Sequence, residues 1–484
     1  IEYASKKVAF PISLTTILMV VGLLSITMNE VMILKEFAIV TAVGLVLNFF
    51  VTATLTPVYL NFLGEKVPHQ ITDQALLTNF YNKLSKLLLD LARFHKKKVL
   101  IGLIITITFC TWQSGYIYTD IDNLSILKKS HPFIKKINLI NKNYKAGMNS
   151  LLVVFKTKGD KPFKKSRAMK KIFEIHQHIN KTWKKGVSQS LVGTLALINR
   201  ELNKGNPKEY RIPDQDNLIS KYMLFLSKDD WQAYITPDYK EMNLIIRHKL
   251  SSSVEIEKVL EVLTKDFQKI LAGTNITFKF TSAMVVQAAA AKTLIKSQIK
   301  GILLILVTIF IIIWILFLDI RTALLSLVPS IVPVVGFFGI MGFLKIPLDI
   351  GTCIIATMVI AFVTGGTLHF FTCFNDCLKI YDDQIQAMRH TIQQEIKPVM
   401  TTSITLAIGL AILAFSNFRP IIEFGILSSV TMILALISQL VITPIMLLGT
   451  SQKEFISVID LYSSKLRPKL LENSPVLKSI PELL

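Results

Sequence analysis

Apolar residues in this chain fall into long unbroken runs. Residues 300–318, 323–344, 350–371, 398–416 and 421–448 contain scarcely a charge, whereas 119–297 carry nearly all the lysine runs. A hydrocarbon core about 30 Å thick needs about 20 apolar residues in a helix. That criterion picks out about eight spans, at roughly 8–28, 37–63, 99–118, 299–318, 323–344, 350–372, 398–416 and 421–448. None alternates with the period of a strand, and only helices or closed barrels satisfy the backbone in lipid, so the spans are predicted to be helical. The expected fold is an α-helical polytopic membrane protein with an inserted α+β domain.

Within 119–297 the pattern changes from strand-like to helical and back. Residues 150–155 read as a strand, 165–183 as a helix, 242–248 as a strand and 276–280 as a strand leading into the next span. Residues 252–271 read as an amphipathic helix carrying Val259, Leu260, Val262 and Leu263 behind a serine run that caps it. This order predicts an α+β sandwich of βαβ type. Asp120 and Asp122 at its entrance are expected to be solvated. Residues 378–396, with Ile385, Met388, Ile392 and Ile396 on one side, predict an interfacial helix. Asp319 and Arg321 form a tight turn, Pro329 and Pro333 bend the helix that follows, and Asp349 is placed to cap the sixth span.

Orientation follows from basic residues in the shorter loops. The segment 65–98 holds Lys66, Lys83, Lys86, Arg93 and Lys96 to Lys98, so the positive-inside rule makes it a cytoplasmic linker. Counting spans from there puts 119–297 outside, and the tail 450–484 inside with Lys6 and Lys7.

The first two spans also reappear as the last two at a constant offset of 387 residues, without a gap. Pro11 falls on Pro398, Thr15 on Thr402, Gly22 on Gly409, Glu36 on Glu423, Thr56 on Thr443 and Pro57 on Pro444. Apolar helices match by accident through Leu and Ile; paired Pro, Gly, Glu and Thr-Pro in register do not. Residues 1–64 therefore read as the last two helices of one repeat. Span 99–118, the domain 119–297 and the five helices of 298–449 form a nearly complete second copy, so the chain reads as a fragment.

Composition narrows the function. With 51% hydrophobic and 18% charged residues in 484, and a mean hydropathy of +0.50, the chain is too apolar for an ordinary soluble protein and too charged to be all membrane. A net charge of +21 would suit nucleic acid, but no aromatic-interleaved motif accompanies the lysines. A solvated basic surface, or attraction to anionic lipid headgroups, is the reading left. Cys110, Cys353 and Cys373 lie in or beside spans and Cys377 just after one, so no disulfide framework is implied. Cys373 and Cys377 stand at i,i+4 without a nearby histidine or acidic cluster, and no metal or other cofactor is expected. There is no Walker-type Gly-Lys loop and no histidine with metal-ligand spacing; no catalytic residue or enzyme chemistry is predicted.

The stretch "FLDIRTALLSLVPSIVPVVGFFGIMGFLKIPLDIGTCIIATMVIAFVTGGTLHFFTCF", with the later "KPVMTTSITLAIGLAILAFSNFRPIIEFGILSSV", resembles the resistance-nodulation-division superfamily, in its mycobacterial-membrane-protein-large and hopanoid-exporter-like branch. The resemblance covers essentially residues 1–450. It implies a proton-driven secondary transporter of the bacterial cytoplasmic (inner) membrane. Such a transporter exports lipids or other hydrophobic molecules, or extracts them, through an extracytoplasmic porter domain. It also implies a missing N-terminal half or an oligomer partner. In the family a Gly-rich turn in the sixth span is followed by an aspartate, then an aromatic and a histidine; Gly365 stands where that aspartate would be. The remaining relay candidates are Thr364, Gly366, Thr367 and His369, expected to face Thr401, Thr402, Ser403 and Thr405 of the next span. Small and hydroxylated residues also let membrane helices pack closely, which is the structural alternative. A sterol-sensing-type receptor and an inactive truncated remnant are the competing functional readings; an accessory to protein translocation is a third, which the long external domain and the recurring six-span unit argue against.

Overall fold

The computed structural model describes residues 2–63, 75–120, 122, 126–128, 130–144, 146–183, 186–381 and 383–449. The expected tail 450–484 and the first part of the expected linker, 65–74, lie outside the described residues. The described residues divide into two compact units, one within 2–118, 293–416 and 420–449, the other within 119–292 with 417–419.

The first unit opens with α1 (Glu2–Leu24), α2 (Met32–Leu63), α3 (Ala75–Phe94) and α4 (Lys96–Ser114). The second unit follows with α5 (Pro132–Asn143), β1 (Asn149–Lys156), α6 (Ser166–Thr182), β2 (Gly186–Ser190), α7 (Leu191–Leu202), α8 (Asp216–Met223), α9 (Lys228–Gln232), β3 (Glu241–His248), α10 (Ser253–Ile270) and β4 (Thr277–Thr281). The chain then continues through α11 (Ala283–Phe317), α12 (Ile320–Leu344), α13 (Ile350–Ile380), α14 (Gln384–Ala411), α15 (Arg419–Ile437) and α16 (Thr443–Leu447).

The sheet order is β2-β3-β1-β4 and every neighbouring pair is antiparallel. β1 and β2 both run against β3, so they are parallel to each other with β3 between them; β3 and β4 are likewise separated by β1. Each expected βαβ unit is therefore split by an antiparallel strand, the ferredoxin-like arrangement. β2 was not foreseen, because Gly-Val-Ser-Gln-Ser carries no apolar run. Alternation holds elsewhere: Leu151, Val153 and Phe155 of β1 and Met242, Leu244 and Ile246 of β3 are fully buried on one face. Met169, Ile172, Ile175 and Ile179 of α6 and Leu263 and Phe267 of α10 are buried in the same core. Asp120 is not solvated as expected: its Oδ1 accepts from the Ser253 amide and hydroxyl, both at 2.9 Å, tying the domain entrance to the start of α10.

Six helices in the described residues are long and apolar enough to cross a membrane, fewer than the eight expected. Of the other two, α1 carries an apolar stretch whose described side chains run from Ile12 to Met28, and α4 spends its first turn on Lys96, Lys97 and Lys98. A second difference concerns 378–396, which is not a separate interfacial helix. α13 runs on to Ile380, and α14 continues through Pro398 to Ala411, burying Met388, Ile392 and Ile396 as the pattern required.

The offset of 387 carries over to element boundaries. α1 gives way to a 3-10 turn at Ser25–Met28 and α2 opens at Met32; 387 residues on, α14 gives way to a 3-10 turn at Ile412–Phe415 and α15 opens at Arg419. The copies part at one place. Residues 51–55 remain α-helical in α2, whereas Ser438–Ile442 form a π turn between α15 and α16.

Candidate functional site in the membrane unit

α13 lies at the centre of the first unit, with 72% of its most apolar stretch buried. It starts where the sequence said it should. Asp349 Oδ1 accepts from the Thr352 amide at 2.8 Å while the Thr352 hydroxyl accepts from the Asp349 amide at 2.9 Å, a reciprocal capping box. Halfway along, two glycines let neighbours close in. A Cβ on Gly366 would stand 2.6 Å from Gln439 Nε2, and one on Gly365 would stand 3.3 Å from Thr15 Cγ2 of α1. Gln439 uses the space to donate from Nε2 to the Val363 carbonyl at 2.8 Å.

α12 supplies the other wall. Proline has no N–H, so Pro333 leaves the carbonyl four residues back, that of Pro329, without its helical donor. Ser438 Oγ fills that role at 2.7 Å. Beside it, Thr364 Oγ1 donates to the Ile360 carbonyl at 2.7 Å, which leaves the Ser330 hydroxyl to donate to Thr364 across 3.2 Å. Thr367 lies one turn beyond Thr364, and Thr443 opens α16 beyond Gln439. Both hydroxyl oxygens are buried and have no partner among the described residues. The result is a buried patch of Ser330, Thr364, Thr367, Ser438, Gln439 and Thr443, none more than 4% exposed. Ser330 and Thr364 are bonded to each other, whereas Thr364, Ser438 and Gln439 each donate to a backbone carbonyl; without an ionisable member the patch cannot store a charge.

The structure assembles only part of the expected strip. Thr364 and Thr367 belong to the patch, Gly365 and Gly366 set its spacing, and His369 is half-buried two residues past Thr367. Thr364 meets Ser330 of α12 rather than the next span. On α14, Thr401, Thr402 and Thr405 are exposed, Ser403 is buried, and Thr402 Oγ1 turns back to the Pro398 carbonyl at 3.0 Å. Ser330, Ser438, Gln439 and Thr443 were missed. A glutamine inside an apolar run was the available signal, since a buried carboxamide needs a partner.

Next to this patch lies a cavity of about 250 Å³, lined among others by Leu103, Ile107, Cys110, Val335, Leu434 and Ser438. Its walls α4 and α12 approach closely because Gly339 and Gly342 lack side chains. A Cβ on Gly342 would fall 1.9 Å from the Gln113 carbonyl oxygen, and one on Gly339 2.6 Å from Cys110 Cβ. Ser438 is common to the apolar cavity and the polar patch.

The second unit buries two neutral histidines. His176 Nδ1 lies 2.8 Å from Ser188 Oγ and 3.0 Å from Ser190 Oγ, and Nε2 lies 3.1 Å from Asn180 Nδ2. Burial lowers its pKa to about 4. His248, fully buried beside Trp183, is also lowered to about 4 by burial. The nearby Leu250 backbone opposes the shift without closing a hydrogen bond to either ring nitrogen.

Comparison with solved structures places this architecture. The hedgehog release protein Disp from the water bear (Hypsibius dujardini) superposes with a TM-score of 0.65 at 11% identity, over 92% of this chain and 59% of that one. SecDF, a translocon-associated membrane protein from Thermus thermophilus, gives a TM-score of 0.48 at 12% identity, over 91% and 48%. The chain thus spans between about half and three fifths of the length of these structures. No curated protein sequence matches it. The fold shared with Disp is a likeness of architecture alone, but a family model matches residues 125–460 directly, and the chain belongs to the MMPL family.

Proposed function

We propose that the chain is a component of a secondary transporter that exports lipids or other hydrophobic molecules across the bacterial cytoplasmic membrane, or extracts them from it, with the second unit on the outer side as a porter-like domain. The observation that carries this reading is the position of Ser438. It lines an apolar cavity able to take part of an acyl chain or ring system, and it also joins a polar patch buried among apolar helices. Polar groups among apolar helices are costly to keep, and in transporters such residues mark substrate or ion pathways.

Proton drive in the full-length protein needs an acid that the patch lacks. The repeat suggests its source. The span of α15 and α16 has 61% of its most apolar stretch buried, whereas α2, its equivalent at the offset of 387, has 11%. The helices that would cover α2 as α12 and α13 cover the π turn and α16 would belong to a further segment or partner, and we place the acid there. A sterol-sensing-type receptor is the second reading, favoured by a patch without any ionisable side chain; it would bind the same ligands and leave leaflet composition unchanged.

Lipid profiling of the two leaflets after deletion of the gene separates the readings. Export predicts depletion of one lipid class from the outer leaflet, restored by the wild-type gene. An unchanged outer leaflet would overturn it.

A further inference from the structure

α3 has three distinct edges. At 3.6 residues per turn, Ser85, Leu88 and Ala92 fall within about 60° of one another. All three are buried, and the helix packs on α14 and α16. Phe80, Leu87 and Phe94, spaced by seven, form a second stripe about 40° wide; they are 51%, 53% and 66% exposed. Lys83, Lys86 and Arg93 form a third edge, roughly opposite the buried one, with Asp90 as its acid. The cations on it are exposed and make no ion pair among the described residues, Arg93 lying instead over the Phe94 ring at 4.9 Å. One residue later, at His95, the chain turns into α4 with Lys96, Lys97 and Lys98.

A soluble helix would not leave large apolar side chains and cations on adjoining exposed edges. A helix lying in the membrane surface requires that arrangement, the apolar stripe among acyl chains and the cations level with the headgroups. α3 also sits between α2, which is apolar enough to span, and the membrane unit's α4. We propose that α3, with the lysine run that follows it, is a binding site for anionic lipid headgroups in the leaflet where α4 begins. The site rests on the membrane reading of the first unit and not on which molecule is transported.

The test is lipid binding to the purified full chain in mild detergent, followed by thermophoresis with phosphatidylglycerol and with phosphatidylcholine of the same acyl chains. Wild type should prefer phosphatidylglycerol by about tenfold or more, since each cation near an anionic surface adds severalfold. The variant Lys83→Gln, Lys86→Gln, Arg93→Gln, Lys97→Gln should lose most of that preference while binding phosphatidylcholine as before. Should the variant fail to fold, wild type in about 0.5 M salt gives the same answer, because screening at that strength removes headgroup attraction. Equal binding of the two lipids by wild type, or a preference that survives the substitutions or the salt, would overturn the proposal.

Discussion

Ser438 Oγ donates to the Pro329 carbonyl at 2.7 Å, and the acceptor is free because Pro333 has no N–H to offer it. One proline creates the vacancy and a serine a hundred residues away fills it. Ser438→Ala should therefore leave a buried carbonyl unsatisfied and cost about 1–3 kcal/mol. Pro333→Ala restores the helical donor and should make the same serine dispensable. A double-mutant cycle on the melting of the detergent-solubilised chain checks this: the loss caused by Ser438→Ala should shrink markedly in the Pro333→Ala background, and additive effects would sever the link.

Gly366 and Gln439 make a second pair. A methyl group at 366 would overlap Gln439 Nε2 at 2.6 Å, so Gly366→Ala should push the carboxamide off the Val363 carbonyl. The expected loss is about 1–3 kcal/mol of stability, together with lipid export if the patch serves it. Gln439→Ala makes room for the methyl group, so Gly366→Ala should cost little in that background. Thermal unfolding of the two single variants and the double variant reads the difference.

Much of this is legible in the amino-acid sequence, and the reason is physical. Spans declare themselves because a continuous apolar run suits a helix in lipid, and the repeat showed through paired Pro, Gly and Thr-Pro, which chance matching of Leu and Ile does not supply. Pro57 and Pro398 lie inside continuous helices, but Gly22 and Gly409 each stand three residues before a 3-10 turn, at Ser25–Met28 and Ile412–Phe415. What stayed hidden depends on partners distant in sequence. Thr364 could be seen as an intramembrane hydroxyl, but nothing local says that it meets Ser330 rather than Thr401. The π turn at Ser438 departs from the α-helix at the equivalent place in α2, so the internal repeat pointed away from it. β2 was missed because its five residues are held by the ladder to β3 and not by apolar alternation of their own.

Thr367 and Thr443 carry buried hydroxyls without partners among the described residues. If they serve only to let helices pack, Thr367→Val, which keeps the shape, should be neutral or slightly stabilising and should leave export intact. The transport reading expects the opposite division: stability kept within about 1 kcal/mol, and a severalfold fall in export measured as outer-leaflet lipid in a deletion strain carrying the variant. Loss of export with unchanged melting would mark Thr367 as part of a pathway.

The buried histidines set an acid limit on the second unit. His176 and His248 titrate near pH 4 when folded, against an ordinary value of 6.5. Between those values the unfolded chain binds protons that the folded unit refuses, so stability rises with pH across this window. Stability should be flat above about pH 7 and fall steadily from about 6.5 towards 4, by up to about 3 kcal/mol for each histidine. The two are distinguishable. His248 has no hydrogen bond from its ring to lose, so His248→Phe should keep the packing against Trp183, change little at neutral pH and remove part of the acid sensitivity. His176→Phe removes the same protonation but also the ring's hydrogen bonds with Ser188, Ser190 and Asn180, and should destabilise at every pH. Denaturant melts of the full chain from pH 4 to 8, followed by tryptophan emission, would show both slopes; a profile for His248→Phe as steep as that of wild type would rule this histidine out as a source of the acid limit.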